Sequence, residues 1–215
     1  MRVDYCQFAL LHEGPSDAGL VAVLETLLVE AGFDEVYGEA RLKKGSVGET
    51  LASMADNRES FHVVFVHRDA DRAGRDARAA EISRAAMSVT WAAGDEPRVV
   101  PVIPVTMTEA WLLLEETAIR GVCGNPRGTE ALNLPKLHEI EGIADPKTLL
   151  FDSLRKAAPP RGRRRVTDRE VGSWRSRLLE RLDIHGQVTQ LSAWKALEKD
   201  IAGVWEAYQG ARATT

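Results

Sequence analysis

The pattern of apolar residues predicts alternating strands and helices in the first half of the chain. Continuous apolar runs are typical of buried parallel strands, whereas apolar positions spaced three and four residues apart are typical of helices. Strands are predicted over residues 3–11, 35–40, 62–67 and 99–105. Helices are predicted over residues 16–31, 46–57, 72–92 and 108–116. This alternation predicts an α/β fold with a mainly parallel sheet of about four strands, flanked by helices.

Local signals refine several of these boundaries. Ser46 and Glu49 have the spacing of a capping box, which predicts the start of the second helix. Pro101 and Pro104 predict an edge or irregular position for the last strand, because proline cannot donate a ladder hydrogen bond. The short segment 35–40 is predicted to be an edge strand as well.

The character of the chain changes after residue 120. Glycine, proline and asparagine cluster in residues 121–128, which predicts a loop. Three further helices are predicted over residues 146–158, 168–182 and 189–209. We therefore expect an α/β domain over residues 1–120 and a helical extension over residues 121–215 that packs on it, with tryptophans as anchors.

Acidic motifs follow three of the predicted strands. The first is Glu13-Gly14-Pro15-Ser16-Asp17, the second is Asp69-Ala70-Asp71, and the third is Glu109. Open parallel sheets bind ligands at the carboxyl ends of their strands. Carboxylates that converge there repel one another unless a cation neutralises them, and Mg²⁺ or Mn²⁺ suits such oxygen ligands. The sequence therefore predicts a divalent-metal site, which is typical of phosphate chemistry.

Each acidic motif also has a simpler interpretation. Asp17 could cap the first helix, and Asp69 and Asp71 could be surface residues of a turn. Glu109 could act only on the helix dipole, after Thr108 as the N-cap. In extended backbone, however, Asp69 and Asp71 would point the same way and could reach one cation or two neighbouring cations.

The net charge of −4 hides an uneven distribution. Residues 155–181 contain ten basic and three acidic side chains, a net of +7, whereas the first 154 residues carry −10. A basic segment beside an acidic metal site suits a polymer of phosphates, so nucleic-acid contacts are expected from four arginines. These are Arg161, Arg163, Arg164 and Arg165. The alternative is that the arginines only coat a solvated helix.

Several classes of protein are not indicated by the sequence. Cys6 and Cys123 form neither a disulfide framework nor a zinc-binding spacing, so buried thiols in a reducing cytosol are expected. No apolar run has the length of a membrane span, and the first residues do not resemble a signal peptide. The chain has no glycine-rich nucleotide-binding motif. The expectation is a cytoplasmic protein without an ATP site of its own.

The acidic motifs resemble those of the Toprim fold, which occurs in topoisomerases, primases and certain nucleases. The closer likeness is to the branch of overcoming-lysogenisation-defect nucleases and related stand-alone Toprim-like proteins of phage defence. That branch has Glu-Gly-x-(Ser/Thr)-(Asp/Glu), Asp-x-Asp and a later glutamate that begins an apolar helix. The resemblance covers residues 3–116. It is carried by Glu13, Gly14, Ser16, Asp17, Asp69, Asp71 and Glu109.

The resemblance implies a metal-dependent nuclease that acts on DNA or RNA in antiviral defence. Glu13, Asp69 and Asp71 would hold a first Mg²⁺ or Mn²⁺, and Asp17 and Glu109 would help to hold a second or position water. The family also has a basic catalytic residue late in the domain. Lys136, Lys147 and Arg164 compete for that role, and we select Lys147, at the start of a predicted helix. The resemblance further implies regulation by a separate ATPase.

Two other functions remain open from the sequence. The chain could be a non-catalytic interaction module that docks an ATPase or nucleic acid. In that case the acidic edge would bind a metal ion only structurally, or bind a basic partner, while the helices dock the ATPase. It could also be a small-molecule phosphohydrolase with Asp69 as nucleophile. That chemistry needs the aspartate pair after the first strand, whereas here it follows a later one, so this alternative ranks last.

Overall fold

The computed structural model describes residues 3–71, 73–160, 162 and 165–213. In these residues the chain forms a sheet of four parallel strands in the order β2-β1-β3-β4. The strands are β1 (Tyr5–His12), β2 (Glu35–Leu42), β3 (Val63–His67) and β4 (Arg98–Val102). The predicted α/β fold is confirmed, and β2 and β4 are the edge strands, as expected.

Eight α-helices surround this sheet in the part of the chain that is described. They are α1 (Leu20–Ala31), α2 (Val47–Asp56), α3 (Arg75–Met87), α4 (Glu109–Leu112), α5 (Glu116–Val122), α6 (Pro146–Ala157), α7 (Asp168–Leu179) and α8 (Ser192–Ala213). The predicted capping box starts α2, since the Glu49 N–H donates to Ser46 Oγ and the Ser46 N–H donates to Glu49 Oε2. None of the described helices is both long and apolar enough to cross a bilayer.

The sheet separates two hydrophobic cores. Successive side chains of a strand point to opposite faces. Phe8 and Leu10 therefore join the larger core, with α1 and the C-terminal helices, whereas Ala9 and Leu11 join the smaller core, with α2 and α3. The strand β3 is buried on both faces, which explains its continuous apolar sequence.

The C-terminal helices share the larger core with the sheet. Trp111 of α4 meets Trp194 of α8 edge to face, with 5.2 Å between the ring centroids. Phe33, just after α1, contacts Trp205 of α8 in the same way at 4.9 Å. Both contacts pack α8 against the α/β half of the chain. The expected domain boundary at residue 120 lies inside α5.

Some predicted boundaries were wrong for local reasons. The predicted helix 108–116 is split into α4 and α5, so residues 121 and 122 end a helix instead of beginning a loop. The predicted helix 72–92 begins only at Arg75, because Gly74 has φ 81°, outside the helical region. Residues 15–17 form a separate 3₁₀ turn before α1 begins at Leu20.

Candidate functional site

The predicted acidic residues lie at one edge of the sheet. All four strands are parallel, so their carboxyl ends meet there. Glu13 directly follows β1, Asp69 and Asp71 follow β3, and Glu109 begins α4 after β4. The 3₁₀ turn after Gly14 then places Asp17 at the same edge. Two buried side chains join these loops. Arg175 binds both Asp17 and Glu109. His67 lies 3.9 Å from Asp17 Oδ2 and 3.7 Å from Asp69 Oδ1.

Arg175 of α7 is the buried centre of one half of the site. Its Nη2 donates to Asp17 Oδ1 at 2.7 Å, and its Nε donates to Glu109 Oε1 at 3.2 Å. Its Nη1 donates to the backbone carbonyl of Ser16. The side chain of Arg175 is only 2% exposed, and those of Asp17 and Glu109 are 13% and 7% exposed. Asp17 is therefore a partner of this arginine and makes no helix-capping hydrogen bond.

Asp69 differs from the other four acids in its surroundings among the described residues. Burial, followed by the nearby carboxylates of Asp17, Glu109 and Asp71, raises the pKa of Asp69 to about 7. The Thr108 N–H donates to Asp69 Oδ1 at 3.3 Å and opposes this shift. No lysine or arginine within the described ranges forms an ion pair with Asp69. The result is a crowded carboxylate whose negative charge is poorly compensated.

His67 fixes the geometry around Asp69 without supplying a charge. Burial lowers the pKa of His67 to about 4, against the opposing effect of the Asp17 carboxylate, so the imidazole is neutral near pH 7. Its Nε2 is 2.9 Å from Thr108 Oγ1 and 3.7 Å from Asp69 Oδ1. Thr108 therefore bonds to His67 with its side chain and to Asp69 with its backbone, and its hydroxyl does not cap α4.

Glu13 and Asp71 form the exposed half of the site. Glu13 Oε1 lies 3.0 Å from Arg68 Nε and 3.5 Å from Lys43 Nζ. Asp71 Oδ2 lies 3.8 Å from Arg78 Nη2. The side chains of Glu13 and Asp71 are 46% and 47% exposed, so solvent weakens both ion pairs.

Glu81 of α3 ties the two arginines of this half together. Its Oε1 is 2.6 Å from Arg68 Nη1, and its Oε2 is 3.0 Å from Arg78 Nη1. Each arginine thus has one carboxylate from α3 and one from the predicted metal set. The planar guanidinium groups are held near the acidic edge by a residue that is not itself a predicted ligand.

The Asp-x-Asp segment is not extended, which differs from the expectation. Asp71 has φ 47°, in the left-handed region that aspartate tolerates better than most residues. Its N–H donates to the carbonyl of Thr106, which also has a positive φ of 65°. Because of this turn, the Asp69 side chain reaches Thr108, whereas the Asp71 side chain reaches Arg78. The two carboxylates have different partners in this state.

Of the predicted basic residues, the structure describes Lys147 and Arg165, and neither forms an ion pair with a described acid of this edge. Lys147 is exposed in the first turn of α6, with Nζ 5.9 Å from the ring centroid of Phe151, and it has no ion pair with the five acids among the residues described. Arg165 is exposed. Arg161, Arg163 and Arg164 lie outside the described residues.

The structure also brings in residues that sequence reasoning did not select. Arg175 was counted only as part of the basic segment, although it stands on the apolar face of α7 between Trp174 and Leu178. A charged residue at such a position is a signal for a buried ion pair. Arg68 and Arg78 gave no comparable signal, because charged residues next to a strand end or on an exposed helix are common.

The acids do not form a finished metal site in this state. Over the described ranges, no three or more histidine, cysteine, aspartate or glutamate side chains are arranged to hold a metal ion. Lysine and arginine side chains form ion pairs with four of the five carboxylates. Comparison of the chain with protein-family models, curated proteins and solved structures gave no match.

Proposed function

We propose that the protein is a divalent-metal-dependent nuclease that hydrolyses phosphodiester bonds in DNA or RNA. The observation that carries this proposal is the crowding of Asp69 by three other carboxylates at the carboxyl edge of a parallel sheet. A bound cation would relieve that repulsion, and the donor set consists of hard oxygens that suit Mg²⁺ or Mn²⁺. Such an ion supplies an activated water and polarises a phosphoryl oxygen.

Asp69 is the best anchor for the ion, with Glu13 and Asp71 as its partners. The side chains of Glu13 and Asp71 are nearly half exposed, so they can leave their basic neighbours and turn toward Asp69. Asp17 and Glu109 are held by Arg175 and add negative potential rather than ligand atoms while that contact persists. The negative potential of Asp17 and Glu109 would thus raise the affinity of Glu13, Asp69 and Asp71 for a cation.

The role of the basic catalytic residue suits Arg68 or Arg78 better than Lys147. Both arginines already contact carboxylates of the proposed metal set, whereas Lys147 contacts the ring of Phe151. A guanidinium beside the metal set can stabilise the negative charge that develops on a phosphate during cleavage. The neutral imidazole of His67 keeps Thr108 and the Asp69 loop in place.

The resemblance to the Toprim-like nuclease branch supports nucleic acid as the substrate. The acidic residues that carry the resemblance all lie at the carboxyl edge of the sheet, so they could act in one site. By the same resemblance, the protein would be the effector of an antiviral system, regulated by a separate ATPase. The exposed Arg165 and its neighbours in the sequence would add contacts to phosphates.

The test is a cleavage assay on labelled DNA and RNA with Mg²⁺, Mn²⁺ or EDTA. We expect metal-dependent cleavage by the wild type and none by Asp69→Ala/Asp71→Ala. Asp56→Ala/Asp95→Ala is the matched control, because it removes two carboxylates at the opposite edge of the sheet and should remain active. Identical products from the wild type and the first double variant, with and without a candidate ATPase, would refute the proposal.

A non-catalytic docking module is the second candidate function. It is favoured by one observation, that basic side chains pair with most of the acids and leave no assembled metal group among the described side chains. Calorimetry separates the two functions. A lack of Mg²⁺ and Mn²⁺ binding at millimolar concentration, in the presence of nucleic acid as well as in its absence, would favour the module.

A further inference from the structure

We propose that Arg68 and Arg78 form a phosphate-binding site, and that a nucleic-acid phosphate bound there releases Glu13 and Asp71 to the metal ion. This inference rests on the nuclease function proposed above and adds a coupling between its substrate and its cofactor. The phosphate site is distinct from the basic segment around Arg165, because it is built from the β3–α3 region.

The first argument is the dual pairing of each arginine. Arg68 is shared between Glu13 and Glu81, and Arg78 is shared between Asp71 and Glu81. Glu81 is not a predicted ligand and lies on the regular helix α3, so it can keep both guanidinium groups in place when their other partners leave. Two guanidinium groups fixed at one carboxylate form a site for a tetrahedral oxyanion.

The second argument is that the arginines have unused donors. The Nε atoms of Arg68 and Arg78 are buried and have no hydrogen-bond acceptor among the residues that the structure describes. Arg68 Nε is only 3.0 Å from Glu13 Oε1, but this ion pair lacks hydrogen-bond geometry. Arg75 Nε, on the same helix as Arg78, is also without an acceptor among these residues. Buried donors are normally satisfied, and what distinguishes Arg68 and Arg78 is that their unsatisfied N–H groups belong to two guanidinium groups that share Glu81. Phosphate oxygens are acceptors that arginine binds strongly.

The third argument is that Glu13 and Asp71 are engaged in ion pairs with the arginines. Glu13 and Asp71 cannot both neutralise the arginines and serve fully as ligands of a cation. A phosphate that takes over the arginines replaces the negative charge that the carboxylates provided. Lys43, 3.5 Å from Glu13, would be exchanged in the same way. Metal and phosphate would therefore bind with positive cooperativity, even though each binds weakly alone.

The experiment measures binding, so cleavage is not its readout. Fluorescence anisotropy of a labelled single-stranded oligonucleotide, in a DNA and an RNA version, gives its Kd in EDTA and in Ca²⁺, which replaces Mg²⁺ to limit cleavage. Coupling between two ligands is reciprocal. The ratio of the two Kd values therefore also gives the factor by which the bound oligonucleotide raises the affinity of the protein for the metal ion. We expect a ratio of about 5- to 150-fold for the wild type.

Arg78→Gln and Arg68→Gln are the variants that test the site. Each should weaken oligonucleotide binding in EDTA, reduce the slope of log Kd against log salt by about 1, and lower the ratio. Arg84→Gln is the matched control, since Arg84 is an exposed arginine on the same helix α3 and its loss should change none of these three quantities.

The outcomes separate this inference from the nuclease proposal. If both arginine variants bind the oligonucleotide as Arg84→Gln does, the phosphate site is refuted, whereas metal-dependent cleavage can still hold. If the variants lose oligonucleotide affinity but keep the wild-type ratio, the exchange with Glu13 and Asp71 is refuted. If the wild-type ratio is 1 and no metal-dependent cleavage occurs, both the coupling and the nuclease proposal fail.

Discussion

The two halves of the acidic edge use the same kind of ion pair in different surroundings. In the buried half, Arg175 binds Asp17 and Glu109 with all three side chains withdrawn from solvent. In the open half, Arg68 and Arg78 bind Glu13 and Asp71, whose carboxylates are nearly half exposed. Burial makes loss of a partner costly, whereas exposure makes exchange of a partner easy. The buried half therefore suits a fixed support, and the open half suits a ligand site.

The largest effect is expected from breaking the buried half. Arg175→Met should lower the free energy of unfolding by about 3–5 kcal/mol, because it leaves Asp17 and Glu109 buried without a cation. Chemical denaturation followed by circular dichroism measures this change. Arg177→Met, an exposed position on the same helix, should change stability little.

A rescue variant checks the cause of that loss. Adding Asp17→Asn and Glu109→Gln to Arg175→Met removes the uncompensated charges and should recover part of the lost stability. If the triple variant is no more stable than Arg175→Met, the loss comes from packing, and the electrostatic account of this half is wrong.

The second prediction concerns metal ions and the open half. Mg²⁺ or Mn²⁺ at 100 times its Kd should stabilise the folded protein by about 2.7 kcal/mol, since the ion binds the folded state. Differential scanning calorimetry with and without the ion measures the effect. Asp69→Ala should abolish it, and Asp95→Ala should retain it; equal stabilisation of both variants would place the ion elsewhere.

The third prediction uses the raised pKa of Asp69. The folded state keeps its proton up to about pH 7, whereas the unfolded state releases it near pH 4, so stability falls as the pH rises through this interval. In EDTA at pH 8, Asp69→Asn should therefore raise the Tm by roughly 2–4 °C, the shift that about 1 kcal/mol gives in a domain of this size.

The pH dependence of that gain is its own control. At pH 5 the gain should be smaller, because the folded-state carboxyl is then largely protonated in the wild type. Thermal melts of Asp69→Asn and Asp95→Asn at both pH values make the comparison. A gain that is the same at pH 5 and pH 8 would rule out the electrostatic explanation.

The smallest effect is expected from breaking the open half. Arg78→Gln should change the free energy of unfolding by less than about 1 kcal/mol, because the Asp71 carboxylate remains solvated. Chemical denaturation of Arg78→Gln and Arg175→Met under the same conditions compares the two losses of unfolding free energy directly. A loss as large as that of Arg175→Met would show that both halves are structural supports.

The strands and the location of the acidic edge could be predicted from the sequence, because both follow from local patterns. The run Val63–Val66 is apolar since both faces of β3 are buried, and Asp69 is recognisable because it follows that run. The buried half could not be predicted, since Arg175 and Asp17 are 158 positions apart. The turn at Asp71 was also missed, because its positive φ goes with a hydrogen bond that its N–H donates to Thr106, in a loop more than thirty residues further along the chain.

The contacts of Arg175 with Asp17 and Glu109 limit how far the chain can be shortened from its C-terminal side. A fragment that stopped before residue 168 would retain every acid of the sheet edge but would lose the guanidinium that balances Asp17 and Glu109. The first 120 residues, however complete their strand order, are therefore not a minimal unit for studying this edge. Truncation would have to keep α7, and the other helices after the sheet contribute to the same larger core as the strands.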